Sequence, residues 1–344
     1  MYFEKKSLLK PPVSRAAYSD RTAWIMAELA RLAYFKFEGS LDINELAEDI
    51  AKESNSASIR STLEKLLDDK QQAGDEAKKE LDSYLSLSDF KLVSIFNTDG
   101  TQAYLATSDS YKINVLAFRG TEADIKDIKA DLKATTIEVD GHKIHSGFYG
   151  AFLSVKEDVE RALDSIKDNG YPLYITGHSL GGALALLATK FLASNSLGAC
   201  YTFGSPRVAS SEFGDAIKTP IYRVINAADL VPRVPPAYIQ HVLIGLFEML
   251  HIPILSKIIV NVLKKTVGYC HHGDMRFLTA SSKSDYSDLR LLQNPNIFER
   301  AMRLITRLLA TGFKAGATDH FILGYSNKLA AYAESRNKSS EKVL

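Results

Sequence analysis

The chain has 344 residues, with 42 Lys+Arg against 41 Asp+Glu, and so a formal net charge of +1. That balance argues against a nucleic-acid binder held by phosphate contacts, which needs a basic surplus or stripe. Apolar residues at 46% and charged residues at 24% exclude disorder and collagen-like repetition, and the length leaves an excess over one average domain that has to be placed.

The opening segment, MYFEKKSLLKPPVSRAAY, carries charges and no apolar run of signal-peptide length. An intracellular chain, leaderless export and a removed leader all stay open. Residues 20–35 are predicted as a helix capped by Asp20, with Ile25, Leu29, Leu32 and Ala33 on one face. Residues 40–88 form a charged insertion. In it Ile43, Leu46, Ala47 and Ile50, then Ile59, Leu63, Leu66 and Leu67, then Ala77, Leu81, Tyr84 and Leu85 recur at helical spacing. This predicts two or three short amphipathic helices packed on the domain.

From residue 90 the texture changes to strands. Residues 90–96 and 102–107 flank Asp99-Gly100, a hairpin signal, and a more apolar strand follows at 112–118. Helices at 148–166, 181–194 and 211–217 then alternate with strands at 172–176, 199–203 and 221–226. A last strand is expected at 274–279, helices at 297–309 and 321–331, and a frayed, flexible tail at 337–344. The alternation implies an α/β fold with a mostly parallel central sheet flanked by helices. The stretch 238–263 is apolar but interrupted by Glu248, His251, Pro253 and Lys257. It falls short of a membrane span and reads either as a buried insertion or as an apolar cap near an active-site mouth.

Cys200 and Cys270 cannot make a disulfide scaffold, and Cys200, in the strand Ala199–Phe203, reads as a small core residue. No Cys/His spacing reads as a zinc site and no Walker or dinucleotide loop is present, so no metal or cofactor is expected.

The strongest local signal is Gly177-His178-Ser179-Leu180-Gly181 between the strand Pro172–Thr176 and the helix Ala183–Leu192. A bare G-x-S-x-G is weak, but strand, turn and helix in that order form a nucleophile elbow. The turn leaves room for Gly alone at 177 and 181, and the helix N-terminus favours developing negative charge near Ser179. A serine hydroxyl needs a base, and the base an orienting carboxylate. On this architecture the order is Ser, acid, His, which sets aside His142, His145 and His178. The acid belongs at the end of a later strand, and Asp229, after the strand Ile221–Asn226, fits. For the base, spacing favours His320, which follows a loop and opens a helix, and leaves His271 and His272 as alternatives to it; His241 and His251 fall in the apolar insertion.

These residues resemble the class 3 lipases, the fungal-lipase-like branch of the α/β-hydrolases. The resemblance rests on Ala117-Phe118-Arg119-Gly120-Thr121, on His145-Ser146-Gly147-Phe148, on Gly177–Gly182, on Thr202–Val208 and on Asn226–Pro236. It covers most of residues 16–335 outside the two insertions. It implies an α/β-hydrolase domain over 1–336 with a helical insertion at 40–88 and an apolar cap-like insertion at 238–263. In Tyr269-Cys270-His271-His272-Gly273 it makes His271 structural, and in His320-Phe321-Ile322-Leu323-Gly324-Tyr325 it makes His320 the base. It implies oxyanion donors at the Thr121 and Leu180 N–H groups. The lid is either 122–132, which is charged with Ile125, Ile128 and Leu132 at helical spacing, or 238–263. The activity expected is triacylglycerol-lipase-type ester hydrolysis, with a phospholipase A-type effector or a non-catalytic lipid-binding member as alternatives. The partner is a lipid or ester substrate, with presentation at a membrane or emulsion interface left open. No nucleic acid and no transmembrane segment is expected.

Overall fold

The computed structural model describes residues 1–13, 16–35, 72, 74–121, 136–192, 197–215, 217–235 and 268–341. Ten strands are described: β1 (Lys91–Thr98), β2 (Thr101–Ser108), β3 (Ile113–Phe118), β4 (Thr136–Val139), β5 (His142–His145), β6 (Leu173–His178), β7 (Leu197–Phe203), β8 (Ile221–Asn226), β9 (Asp274–Leu278) and β10 (Leu291–Gln293). Eight of them form one sheet in the order β1-β2-β3-β6-β7-β8-β9-β10, and β4 pairs with β5 apart from it. The run from β3 through β9 is parallel. The β1-β2-β3 edge and β10 are antiparallel.

The period-two alternation of the strands sorts the core into two layers. Val115 and Ala117 of β3, Tyr174 of β6 and Tyr201 of β7 face one side. Leu116, Phe118, Ile175 and Cys200 face the other. Helix α1 (Asp20–Leu32) and helix α7 (Ile322–Glu341) cover the first layer, with Trp24, Leu29 and Leu329 buried in it. Helices α3 (Ser146–Ser165) and α4 (Leu180–Phe191) cover the second with Phe152, Leu184 and Leu187. Runs apolar on both faces are what a sheet covered on both sides requires. Polar ends of the inner tyrosines find backbone partners: Tyr104 donates to the Leu29 carbonyl at 2.8 Å and Tyr174 to the Val13 carbonyl at 3.0 Å. With Thr176 of β6 donating to the Met26 carbonyl at 3.1 Å, helix α1 lies fixed across β2 and β6. Its buried Glu28 accepts from the Phe3 N–H at 2.7 Å and pairs with Arg31 at 2.8 Å.

Several expectations shift. The N-cap of α1 is Ser19, not Asp20; its hydroxyl accepts from the Thr22 N–H at 3.4 Å, and Asp20 opens the first turn. The helix expected over 211–217 is a short 3-10 turn, Ser211–Gly214. Of the insertion at 40–88, residues 74–86 form helix α2, whose Leu81 and Leu85 are buried in the first layer. Its other predicted helices, and the stretches 122–132 and 238–263, lie outside the described residues. The hairpin β4-β5 goes beyond the predicted elements although its Asp140-Gly141 turn is a hairpin signal of the same kind as Asp99-Gly100, and the edge strand β10 is only three residues long. Helices α5 (Ile297–Ala310) and α6 (Ala315–Thr318) precede α7. Helix α7 passes its expected end at Ala331 because residues 332–341 contain no Gly or Pro. No described helix is long and apolar enough to cross a membrane.

Candidate active site

Strand β6 ends at His178 and α4 begins at Leu180, so Ser179 alone makes the turn. It does so at φ 55° and ψ −126°, a region that a non-Gly residue occupies only when its surroundings enforce it. The enforcement is visible in the glycines. A Cβ on Gly177 would strike the Gly181 carbonyl, and one on Gly181 would strike the Phe118 carbonyl at the end of β3. The Ser179 N–H is held by the Phe203 carbonyl at 2.9 Å. Residues 119–121 leave β3 against this turn, so close that a Cβ on Gly120 would meet the Tyr34 hydroxyl and lie 3.2 Å from Ser179 Cβ.

The three residues expected to act together are together. Ser179 Oγ lies 2.9 Å from His320 Nε2, and His320 Nδ1 lies 2.9 Å from Asp229 Oδ2. Ser179 and Asp229 are fully buried, and His320 is 7% exposed. Asp229 Oδ2 also accepts from the Tyr325 hydroxyl at 2.5 Å, and Oδ1 accepts from the Val231 N–H at 2.9 Å. A carboxylate fixed by three donors can orient the imidazole only one way: Nδ1 carries the proton and Nε2 presents its lone pair to Ser179. Burial, and then the Asp229 charge, push the Tyr325 hydroxyl well above its usual value, so it stays a donor. Thr121 and Leu180, the expected oxyanion donors, are half-buried on either side of the turn: Thr121 follows Gly120, and Leu180 is the first residue of α4. The first N–H groups of a helix have no intrahelical acceptor.

The acid-bearing and base-bearing loops are cross-linked. The Asn226 side chain donates to the Asp319 carbonyl at 2.8 Å, and the Asp319 carboxylate accepts from the Ala228 N–H at 3.1 Å. The buried Lys328 donates to Asn226 Oδ1 at 2.6 Å and to the Thr279 carbonyl at 3.0 Å, with its pKa pulled down to about 8 by burial. The histidine of the elbow has a place as well. His178 Nε2 lies 2.7 Å from the His320 carbonyl, and Nδ1 lies 2.7 Å from the Tyr34 hydroxyl. A carbonyl only accepts, so Nε2 carries the proton and Tyr34 donates to Nδ1. Burial, and then the nearby His320, hold His178 well below the usual histidine pKa and so neutral.

The other candidate bases are elsewhere. His271 Nε2 lies 2.6 Å from the Pro232 carbonyl and steadies the loop after Asp229. His272 is buried beside Gly214. His241 and His251 lie outside the described residues. Sequence reasoning missed Tyr34, Asn226, Asp319 and Lys328. Only Asn226, at the end of a strand leading to the acid, and Asp319, beside the base, had a position that could have flagged them. A cleft of about 1080 Å³, lined by Lys10, Tyr111, Asn169 and Gly170, lies at the opposite, N-terminal edge of the parallel strands. Ligands of open α/β sheets bind at the other edge.

Parallel sheet, covering helices and strained elbow define an α/β-hydrolase fold. A mutant form of MDLA from Penicillium cyclopium superposes with a TM-score of 0.51 at 21% identity, over 86% of this chain and 93% of that one. Residues 115–239 match the family model described as Lipase (class 3). A lipase of Rhizomucor miehei is 35% identical over 167 residues, 43% of this chain and 45% of that protein. A secreted mono- and diacylglycerol lipase of Fusarium solani is 32% identical over 146 residues, 40% and 44% of the two chains. The matched stretch thus spans less than half the length of these curated relatives.

Proposed function

We propose that this chain is a serine carboxylester hydrolase acting on lipid esters of the triacylglycerol type. The observation that carries the reading is the unbroken hydrogen-bond line from Ser179 through His320 to Asp229 on a strained elbow. In this reading Ser179 Oγ attacks the ester carbonyl and its proton passes to His320 Nε2. The carbonyl oxygen becomes an oxyanion facing the Thr121 and Leu180 N–H groups, where loss of one donor typically costs about 2.7–4 kcal/mol. Asp229 stabilises the imidazolium without taking its proton. Collapse expels the alcohol, which leaves with the proton from His320. Water, deprotonated by the same histidine, then releases the acid and restores Ser179.

The lipid-ester assignment draws on the class 3 family and on the names of its members. The test is a substrate panel of short soluble esters, triacylglycerols and phospholipids, with the position of acyl release recorded. Ser179→Ala is expected to abolish turnover on all of them with an unchanged melting temperature. Retained turnover refutes the site, and release from phospholipid alone refutes the triacylglycerol class.

A further inference from the structure

Helix α5 is turned opposite to an ordinary surface helix. At 3.6 residues per turn, Phe298, Met302, Ile305 and Leu309 fall on one face, and Arg300, Arg303 and Arg307 on the other. A globular surface helix faces its apolar stripe to the core. Here Phe298 is 80%, Met302 64%, Ile305 52% and Leu309 66% exposed, and no residue of the helix is buried. The inner side carries the arginines together with the half-buried Ala301, Leu304 and Leu308. Arg307 pairs with Asp319 at 3.3 Å, and Arg300 Nη1 lies 3.9 Å from Met275 Sδ. Phe313 and Phe321 are also largely exposed, and Phe321 directly follows His320.

We propose that α5 is a docking face for an anionic lipid surface, with the ridge from Phe298 to Leu309 entering the acyl region beside the candidate active site. Contiguous exposed apolar surface of this kind needs a cover. Side chains this exposed make a convex ridge, which a fluid acyl layer accommodates without a matching pocket. Charge selects the headgroup. Over residues 297–314, Arg300, Arg303, Arg307 and Lys314 stand against Glu299 alone, four cations and one anion, hence +3 locally in a chain of +1. Arg303 and Arg307 stand on the opposite face and pair with Glu299 at 2.9 Å and Asp319 at 3.3 Å, yet keep 39% and 30% of their side chains exposed, and long cationic side chains can extend from there toward headgroups. Arg307 also holds Asp319, the neighbour of His320, so a docked helix is fastened to the loop that carries the base. The docking face stands on its own geometry, and only its link to substrate rests on the reading of Ser179.

The test uses the full chain with Ser179→Ala, to prevent lipid turnover, and vesicles of equal parts phosphatidylglycerol and phosphatidylcholine. The parent is expected to co-sediment with them, and to bind vesicles of phosphatidylcholine alone more weakly. Phe298→Asp with Leu309→Asp is expected to weaken binding at least about ten-fold with no fall in melting temperature. Phe298→Trp, read against the buried Trp24, is expected to shift to the blue when these vesicles are added. The proposal is overturned by equal binding of parent and double variant, by an unshifted Trp spectrum, or by equal binding to both vesicle types. It is also overturned if the double variant melts earlier, which means the chain itself covers the ridge. A lipid-free dimer that the double variant turns into monomer overturns it too. Turnover of a soluble ester by the chain with Ser179 intact tests the site separately.

Discussion

Asp229 shows how much of the site's geometry rests on groups that never meet a substrate. Its Oδ2 accepts from both His320 and Tyr325, and the Tyr325 oxygen in turn accepts from the Asn226 N–H at 3.1 Å. Tyr325→Phe removes a donor to a buried carboxylate and leaves that N–H without its acceptor. A hydrogen bond to a charged group contributes about 1.5–3 kcal/mol. If that interaction orients the carboxylate for the imidazolium, kcat on a soluble ester is expected to fall about ten-fold or more, since 1.4 kcal/mol is a factor of ten. KM is expected to stay near its parent value, because Tyr325 is fully buried behind Asp229. A fall in stability with kcat intact would give Tyr325 a structural part only. Tyr34 acts at a similar remove: it fixes the tautomer of His178, and His178 holds the His320 main chain.

Among the elements, the elbow is set by what its neighbours leave no room for. A Cβ on Gly177 meets backbone, the Gly181 carbonyl and its carbon, rather than a side chain that could swing away. Gly177→Ala is therefore expected to cost at least the 1–3 kcal/mol, roughly, of ordinary overpacking. In a chain of 344 residues that lowers the melting temperature by about 1.4 °C per kcal/mol, at roughly 2.1 cal/mol/K of unfolding entropy per residue. A thermal melt of Gly177→Ala beside Gly170→Ala separates the two causes of strain, since Gly170 has φ 66° but no neighbour within 4 Å. This turn was legible in the sequence because its constraints are local: two glycines, a serine, an apolar strand before and an apolar helix after. Asp229 was legible for the same reason, as a carboxylate closing a strand. Spacing favoured His320 but left His271 and His272 open, because its place depends on a loop closing across 141 residues onto Ser179. Tyr34, 144 residues from His178, left no trace at all. Helix α5 was readable as a helix, yet which of its faces would point outward depends on the acceptors that the fold supplies to its arginines.

At the scale of the whole molecule, the histidines make the fold sensitive to acid. Burial, and then His320, hold His178 well below 6.5, while burial, and then Arg223, bring His272 down to about 4. His271 shifts the same way through burial and then Arg223 and Arg207, although part of the residue reaches the surface and its share is smaller. In the unfolded chain all three take up protons near pH 6.5. Below that pH the unfolded state binds more protons than the folded one, so stability falls as pH falls. It is fully present above 6.5, and the His272 contribution stops changing once pH passes below about 4. Each such group steepens the dependence by up to about 1.4 kcal/mol per pH unit. His178 and His272 together therefore remove roughly 2–3 kcal/mol per unit, against a total stability of about 5–15 kcal/mol for a typical domain. Protonating His178 also destroys the acceptor of the Tyr34 hydroxyl, so the loss falls on the support of His320 itself. Urea unfolding at pH 7, 6 and 5 is expected to show this decline, and His272→Gln to flatten it by about one such group. An unchanged slope in that variant would place the acid sensitivity in other groups.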